Sequence, residues 1–150
     1  MIRIAKISDI DKIKEIAQSY TKEIGFVMRP ALEDAVKRQE LLYDDETGSF
    51  CHYRYRRDGV SVIYEICVPQ QHRGKGIAKT MINMILTPVQ LKCPVDNESN
   101  AFYKHIGFEL IETLPGKKRE LNVWRLERNE TEEVNPGAGN PDENQLVAVT

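Results

Sequence analysis

The sequence predicts an α/β sandwich built around a mixed sheet. Three observations lead there. Apolar residues alternate with polar ones over short runs, as in strands half-buried on a sheet, and elsewhere recur at helical spacing. The two kinds of segment follow one another in the order β-α-α-β-β-β-α-β-α-β-β, which calls for crossover helices as well as hairpins. A chain of 150 residues is long enough for one domain with a sizeable core.

Residues 2–7 alternate apolar and basic side chains and read as a half-exposed strand. Ser8 followed by Asp11 resembles a capping box, with Asp in place of the usual Glu or Gln. Ile10, Ile13, Ile16, Ala17 and Tyr20 then mark one face of a helix that Gly25 ends. Pro30 suits the first turn of a second helix reaching about residue 41, with Leu32, Ala35, Val36 and Gln39 at helical spacing. Strands are expected near 41–43, over 49–57 and over 60–68. Residues 45–48 and Asp58-Gly59 supply the turns, and Asp-Gly is a strong hairpin signal. Residues 69–76 form a loop rich in basic residues and glycine. Ile77, Ala78, Met81, Ile82 and Ile85 form a helical stripe that Pro88 stops. Val89, Leu91, Cys93 and Val95 alternate as another strand, a short helix spans 99–105, and the last strands cover 108–113 and 119–126.

Composition narrows the function classes. Mixed charges and plentiful aliphatic residues describe a soluble globular chain. No run of about 18 apolar residues exists to cross a membrane, and the first residues lack the continuous apolar stretch of a signal peptide. Cys51, Cys67 and Cys93 lie far apart in apolar runs, without a CxxC, so buried free thiols in a reducing cytoplasm are expected, with no metal site. The net charge of -2 hides an asymmetry, because Glu130, Glu132, Glu133, Asp142 and Glu143 fall in a tail without Lys or Arg. Residues 1–128 therefore carry about +3, which is less basic than a dedicated nucleic-acid binder. The chain divides into a domain at 1–128 and an acidic tail at 129–150, whose composition is that of a disordered segment.

The most informative stretch is Gln71-His72-Arg73-Gly74-Lys75-Gly76-Ile77-Ala78, set between an apolar strand and an amphipathic helix. Amides entering a helix N-terminus favour an anion. Gly74 and Gly76 let backbone approach phosphate oxygens without a Cβ in the way, and Arg73 and Lys75 add positive charge. A Walker A loop requires a Gly-Lys-Ser/Thr ending that is missing here. A dinucleotide fingerprint requires a third glycine where Lys79 stands, and belongs in the first βα unit.

The pattern Gln/Arg-x-x-Gly-x-Gly/Ala is matched at every fixed position, and with it the chain resembles the GCN5-related N-acetyltransferase (GNAT) superfamily over roughly residues 1–126. A second segment carries the resemblance further: Asn97-Glu98-Ser99-Asn100-Ala101-Phe102-Tyr103-Lys104-His105-Ile106-Gly107-Phe108 is similar to the family's Asn…Phe-Tyr-x-x-x-Gly-Phe. Ala78 departs from the glycine that many members carry, a common swap. The resemblance implies a three-layer α/β/α sandwich around a central mixed, mostly antiparallel sheet, with acetyl-CoA as co-substrate. It further implies that the strand Ile66-Cys67-Val68 splays from its neighbour and frees backbone groups for the pantetheine arm. Gln71 and the segment Arg73, Gly74, Lys75, Gly76, Ile77 and Ala78 would take the pyrophosphate, and Asn100 would contact the cofactor.

Acetyl transfer from a thioester to an amine needs a neutral nucleophile, oxyanion stabilisation and a proton for the leaving thiolate. Tyr103 matches the family's usual general acid, and the alternative is a tyrosine packed as core beside Phe102. Glu65 is the candidate base. Strict alternation puts it on one face with Ile63 and Cys67, beside the cofactor, and the alternative is an ion pair with a neighbouring cation. His52, His72 and His105 are further candidates by residue type. Tyr20, Phe26, Met28 and Arg29 either line the acceptor side or pack. Arg54, Arg56 and Arg57, like Lys117, Lys118 and Arg119, either meet a polyanion or are solvated strand ends. Two acceptor classes follow: a primary amine on a small molecule or protein, or a nucleobase or aminoacyl-tRNA. A non-catalytic acyl-CoA sensor is a third reading. A family member of this size is often a homodimer.

Overall fold

The computed structural model describes residues 1–128, so the tail expected at 129–150 lies outside the described residues. The first strand, β1 (Ile2–Ile4), is shorter than its alternation suggests because Asp9 intercepts the chain. Its carboxylate accepts the Lys6 amide at 2.8 Å and the two terminal nitrogens of Arg3 at 2.7 and 3.1 Å. A 3-10 turn therefore starts at Ile7 and runs into α1 (Ile10–Gln18). The cap is Asp9, and not the Ser8–Asp11 pair. The single helix expected before Gly25 is two, α1 and the one-turn α2 (Thr21–Ile24), and Gly25 closes the second at φ 73°. Helix α3 (Arg29–Arg38) carries Pro30 in its first turn and stops short of residue 41, because Gln39 turns left-handed at φ 60°.

The remaining elements follow the expected order: β2 (Leu41–Asp44), β3 (Phe50–Tyr55), β4 (Ser61–Cys67), α4 (Ile77–Met84), β5 (Val89–Pro94), α5 (Ser99–His105), β6 (Glu109–Leu114) and β7 (Leu121–Leu126). They build one seven-stranded sheet in the order β1-β2-β3-β4-β5-β7-β6. Only β4 and β5 pair in parallel, joined by the crossover through α4, and every other neighbour is antiparallel. This is the mixed, mostly antiparallel α/β architecture that the sequence predicts. Helices α1, α2 and α3 pack on one another and over β2 to β4, and α5 lies against the opposite face.

The core joins both sides of the sheet, with Ile10, Ile13, Leu32, Phe50, Ile66, Met81 and Phe102 all buried. Each such side chain contributes about 1.5–3 kcal/mol relative to exposure. At the end of the described chain, Arg128 donates to the carbonyls of Ile82, Ile85 and Thr87 at 2.7, 2.8 and 3.1 Å. It thereby closes the carbonyl end of α4, which has no further turn to bond with.

Between β3 and β4 the register shifts. Tyr55, Arg54 and Tyr53 meet Ser61, Val62 and Ile63, after which Tyr64 is skipped and His52 meets Glu65. A bulge of this kind re-aims the strand. Residues directly opposite share a face, and His52 and Tyr53 alternate, so Glu65 and Ile63 face opposite sides of the sheet. Glu65 keeps company with Cys67 but not with Ile63, which corrects the strict alternation.

Candidate active site

Strands β4 and β5 part company almost as soon as they meet. Their pairing is confined to Ser61 with Val89 and Val62 with Gln90, although β4 runs on to Cys67 and β5 to Pro94. Beyond Val62 a cleft opens between two parallel strands. The backbone edge of Ile66, Cys67 and Val68 that faces β5 is left without a strand partner among the described residues. Backbone N–H and C=O groups seek partners wherever water is scarce, so this edge is suited to an extended, amide-bearing ligand.

The cleft leads to the glycine loop. After Pro69 a short 3-10 turn covers Gln70–His72, and Gly74 and Gly76 both turn left-handed, at φ 82° and 78°. A side chain at either position would be strained. The turn delivers the chain into α4 at Ile77, and the N-terminus of a helix favours an anion. Lys75 reaches His72, Nζ to Nδ1 3.1 Å. Arg73 does not extend outward. It donates Nε to the Val68 carbonyl at 2.9 Å and Nη1 to Gln70 Oε1 at 3.0 Å, and its guanidinium lies over the Tyr20 ring.

Tyr103 is fully buried in α5, with its ring edge-on to Phe102 and Phe108. Its hydroxyl is the one buried side-chain polar atom among the described residues without a hydrogen-bond partner. Burial, with Cys93 and Cys51 nearby, pushes its pKa well above the ordinary phenol value. Cys51 neighbours His52 in β3 and faces the other way, so Tyr103 stands on the face opposite Glu65. Three residues earlier, Asn100 ties α5 in place. Its amide nitrogen donates to the carbonyls of Pro94 and Asn97 at 2.8 and 2.7 Å, and its oxygen accepts from Asn122 at 3.0 Å and Trp124 at 2.8 Å. The side chain that resemblance assigns to a cofactor contact is thus saturated within the protein.

On the face of α3, His52 Nδ1 and Glu65 Oε2 share a hydrogen bond of 2.6 Å, and both residues are buried. The pair borders a cavity of about 310 Å³ walled by α3, β3 and β4. Glu65 is therefore bound to an imidazole and not to a Lys or Arg. His72 belongs to the glycine loop, and His105 is exposed at the end of α5. A second cavity of about 360 Å³ lies between α2, Pro94 and the loop joining β6 to β7. Of the acceptor-side candidates, Phe26 and Met28 are exposed, whereas Arg29 pairs with Asp11. The basic clusters are partly neutralised, Arg56 by Asp58 at 2.7 Å and Arg119 by Asp96 at 3.6 Å. All three cysteines are buried and free, with Cys67 and Cys93 pushed up to about 12 by burial.

A cleft between splayed parallel strands thus opens onto the glycine turn that leads into α4. A family model described as an acetyltransferase (GNAT) domain matches residues 16–110, and the chain belongs to that family of acetyltransferases. Among solved structures, it is similar to Ard1 from Thermoplasma volcanium at 20% identity, covering 87% of this chain and 98% of that one with a TM-score of 0.75. An N-acetyltransferase from Staphylococcus aureus Mu50 is similar at 15% identity over 84% of this chain and 100% of that one, TM-score 0.65. Rv2747 from Mycobacterium tuberculosis, solved in complex with CoA, is 23% identical over 78% of this chain and 76% of its own, TM-score 0.61. These likenesses establish the shared fold. No curated protein matches the chain. No helix among the described residues is long and apolar enough to cross a membrane.

Proposed function

We propose that the protein transfers an acetyl group from acetyl-CoA to a primary amine carried by a small molecule or a protein, in the cytoplasm. The observation that carries this reading is the unpartnered Tyr103 hydroxyl, buried with Cys93 of β5 and Cys51 of β3 nearby, in a fold where β4 and β5 part after Val62. The cleft edge, the left-handed glycines and the orphaned hydroxyl each fit acetyl-CoA. Free buried thiols suit a reducing compartment.

Acetyl-CoA supplies an acyl group already activated as a thioester. The backbone of Ile66, Cys67 and Val68 holds the pantetheine arm, and Gln71 with the amides from Arg73 to Ala78 receives the pyrophosphate at the start of α4. On the α3 face, Glu65 acting with His52 takes the proton that an ammonium acceptor must lose before attack. On the other face, Tyr103 gives its proton to the departing thiolate. Burial keeps that phenol protonated until then. Asn100 serves by fixing the helix that carries Tyr103. The ion-paired Arg56 and Arg119 favour an amine acceptor over a polyanion.

Isothermal titration with acetyl-CoA, CoA and ATP, on the intact protein and on Gly74→Asp, tests the reading. We expect binding of acetyl-CoA that the variant abolishes, since an aspartate at φ 82° strains the loop and places a negative charge against phosphate. Release of free thiol on adding amines then identifies the acceptor. An intact protein that binds no acetyl-CoA overturns the proposal.

A further inference from the structure

Tyr20 stands at the junction of α1 and α2, far in sequence from the glycine loop, yet it touches that loop twice. Its hydroxyl accepts the Gln70 amide at 2.7 Å. Its ring lies under the Arg73 guanidinium, 5.6 Å from Cζ to the ring centre, within cation–π range. Arg73 in turn grips the Val68 carbonyl and the Gln70 side chain. One aromatic side chain thus fastens both ends of the turn from Gln70 to Arg73. The guanidinium that charge alone would assign to phosphate is engaged with the protein, which leaves the amides from Gly74 to Ala78 and the Lys75 ammonium to meet the anion.

We propose that Tyr20 is a positioning residue for the acyl-CoA pyrophosphate: it holds Gln70 and Arg73 so that the amides from Gly74 to Ala78 are aimed before the ligand arrives. A loop ordered in advance does not lose its freedom on binding, and that saving appears as affinity. Because Thr21 to Gly25 form one wall of the second cavity, Tyr20 also links that wall to the cofactor loop. The inference rests on the acetyl-CoA reading of the loop.

The test uses the full chain with Tyr20→Phe, which keeps the ring but loses the acceptor oxygen, and Tyr20→Leu, which loses both. Each is titrated with acetyl-CoA and with S-acetylpantetheine, which shares the thioester arm but lacks the diphosphate. We expect Tyr20→Phe to bind acetyl-CoA roughly fivefold more weakly, as for one lost hydrogen bond, and Tyr20→Leu more than roughly tenfold. Affinity for S-acetylpantetheine should stay at the wild-type value in both. A merely structural tyrosine would weaken both ligands alike, and that result overturns the proposal, as does wild-type affinity for acetyl-CoA in Tyr20→Leu. Wild-type protein that binds no acetyl-CoA sinks the cofactor reading as well, whereas wild-type binding with unaffected variants sinks only the role of Tyr20.

Discussion

Tyr103 is a residue whose chemistry and stability pull in different directions. A buried hydroxyl without a partner has given up its water and gained nothing in return, a cost of about 1–3 kcal/mol. Tyr103→Phe removes that oxygen and leaves the ring contacts with Phe102 and Phe108 in place. The melting temperature should therefore hold or rise. Acetyl transfer should fall by about 100-fold or more if the phenol is the acid, with acetyl-CoA affinity unchanged. Calorimetry and steady-state rates on one preparation check both halves, and a variant that is less stable yet fully active would show a tyrosine retained for packing. Glu65 and His52 are likewise a unit. Removing either one leaves a buried polar partner behind, so single substitutions there report on stability and chemistry together.

At the scale of elements, the cleft depends on what holds α5 where β5 ends and β7 begins. Asn100 does this with a single amide, bonding Pro94, Asn97, Asn122 and Trp124. Asn100→Ala leaves several of these groups unpaired in a half-buried setting, and we expect a loss of about 2–4 kcal/mol in denaturant unfolding. If Asn100 instead touched the cofactor, stability would be nearly unchanged and acetyl-CoA affinity would fall. The bulge at Tyr64 belongs to the same scale. It sets His52 against Glu65 and follows directly on the parting of β4 and β5 after Val62, so one extra residue accompanies both the His52–Glu65 contact and the cleft.

For the whole molecule, the buried acids set the alkaline limit of stability. Burial pushes Cys67 and Cys93 to about 12 and raises Cys51 and Tyr103 as well. The folded chain keeps protons that the unfolded chain releases above about 9, the ordinary thiol value. The stabilisation is fully present below that pH and is lost as the pH rises toward about 12. Each thiol should lower the unfolding free energy by about 1.4 kcal/mol per pH unit across that window. Urea titrations between about pH 8 and about pH 11 measure the slope, and a Cys67→Ala variant should flatten it. A slope equal in the variant and the wild type would count against burial of that thiol.

Element order, the hairpin at Asp58-Gly59, the glycine loop and the α5 segment were legible in the sequence, because periodicity, turn chemistry and short motifs are local properties of the chain. Even the region that resists water, from Ile66 to Val68, is announced by its apolar run. What surrounds it is not local. Uniform pairing out from the Asp58-Gly59 turn would set His52 opposite Tyr64. The bulge sets it opposite Glu65, and nothing in the residue pattern marks the skipped residue. Asn100 looked like a ligand contact by motif, and its saturation became visible only when β5 and β7 were brought beside it. Tyr20 looked like a helix-face residue, and its grip on the loop spans fifty positions. The sequence by itself determined the fold and the class of chemistry. Only the tertiary structure decided which side chains remain free to act, since a polar group's availability depends on partners that folding brings from elsewhere in the chain.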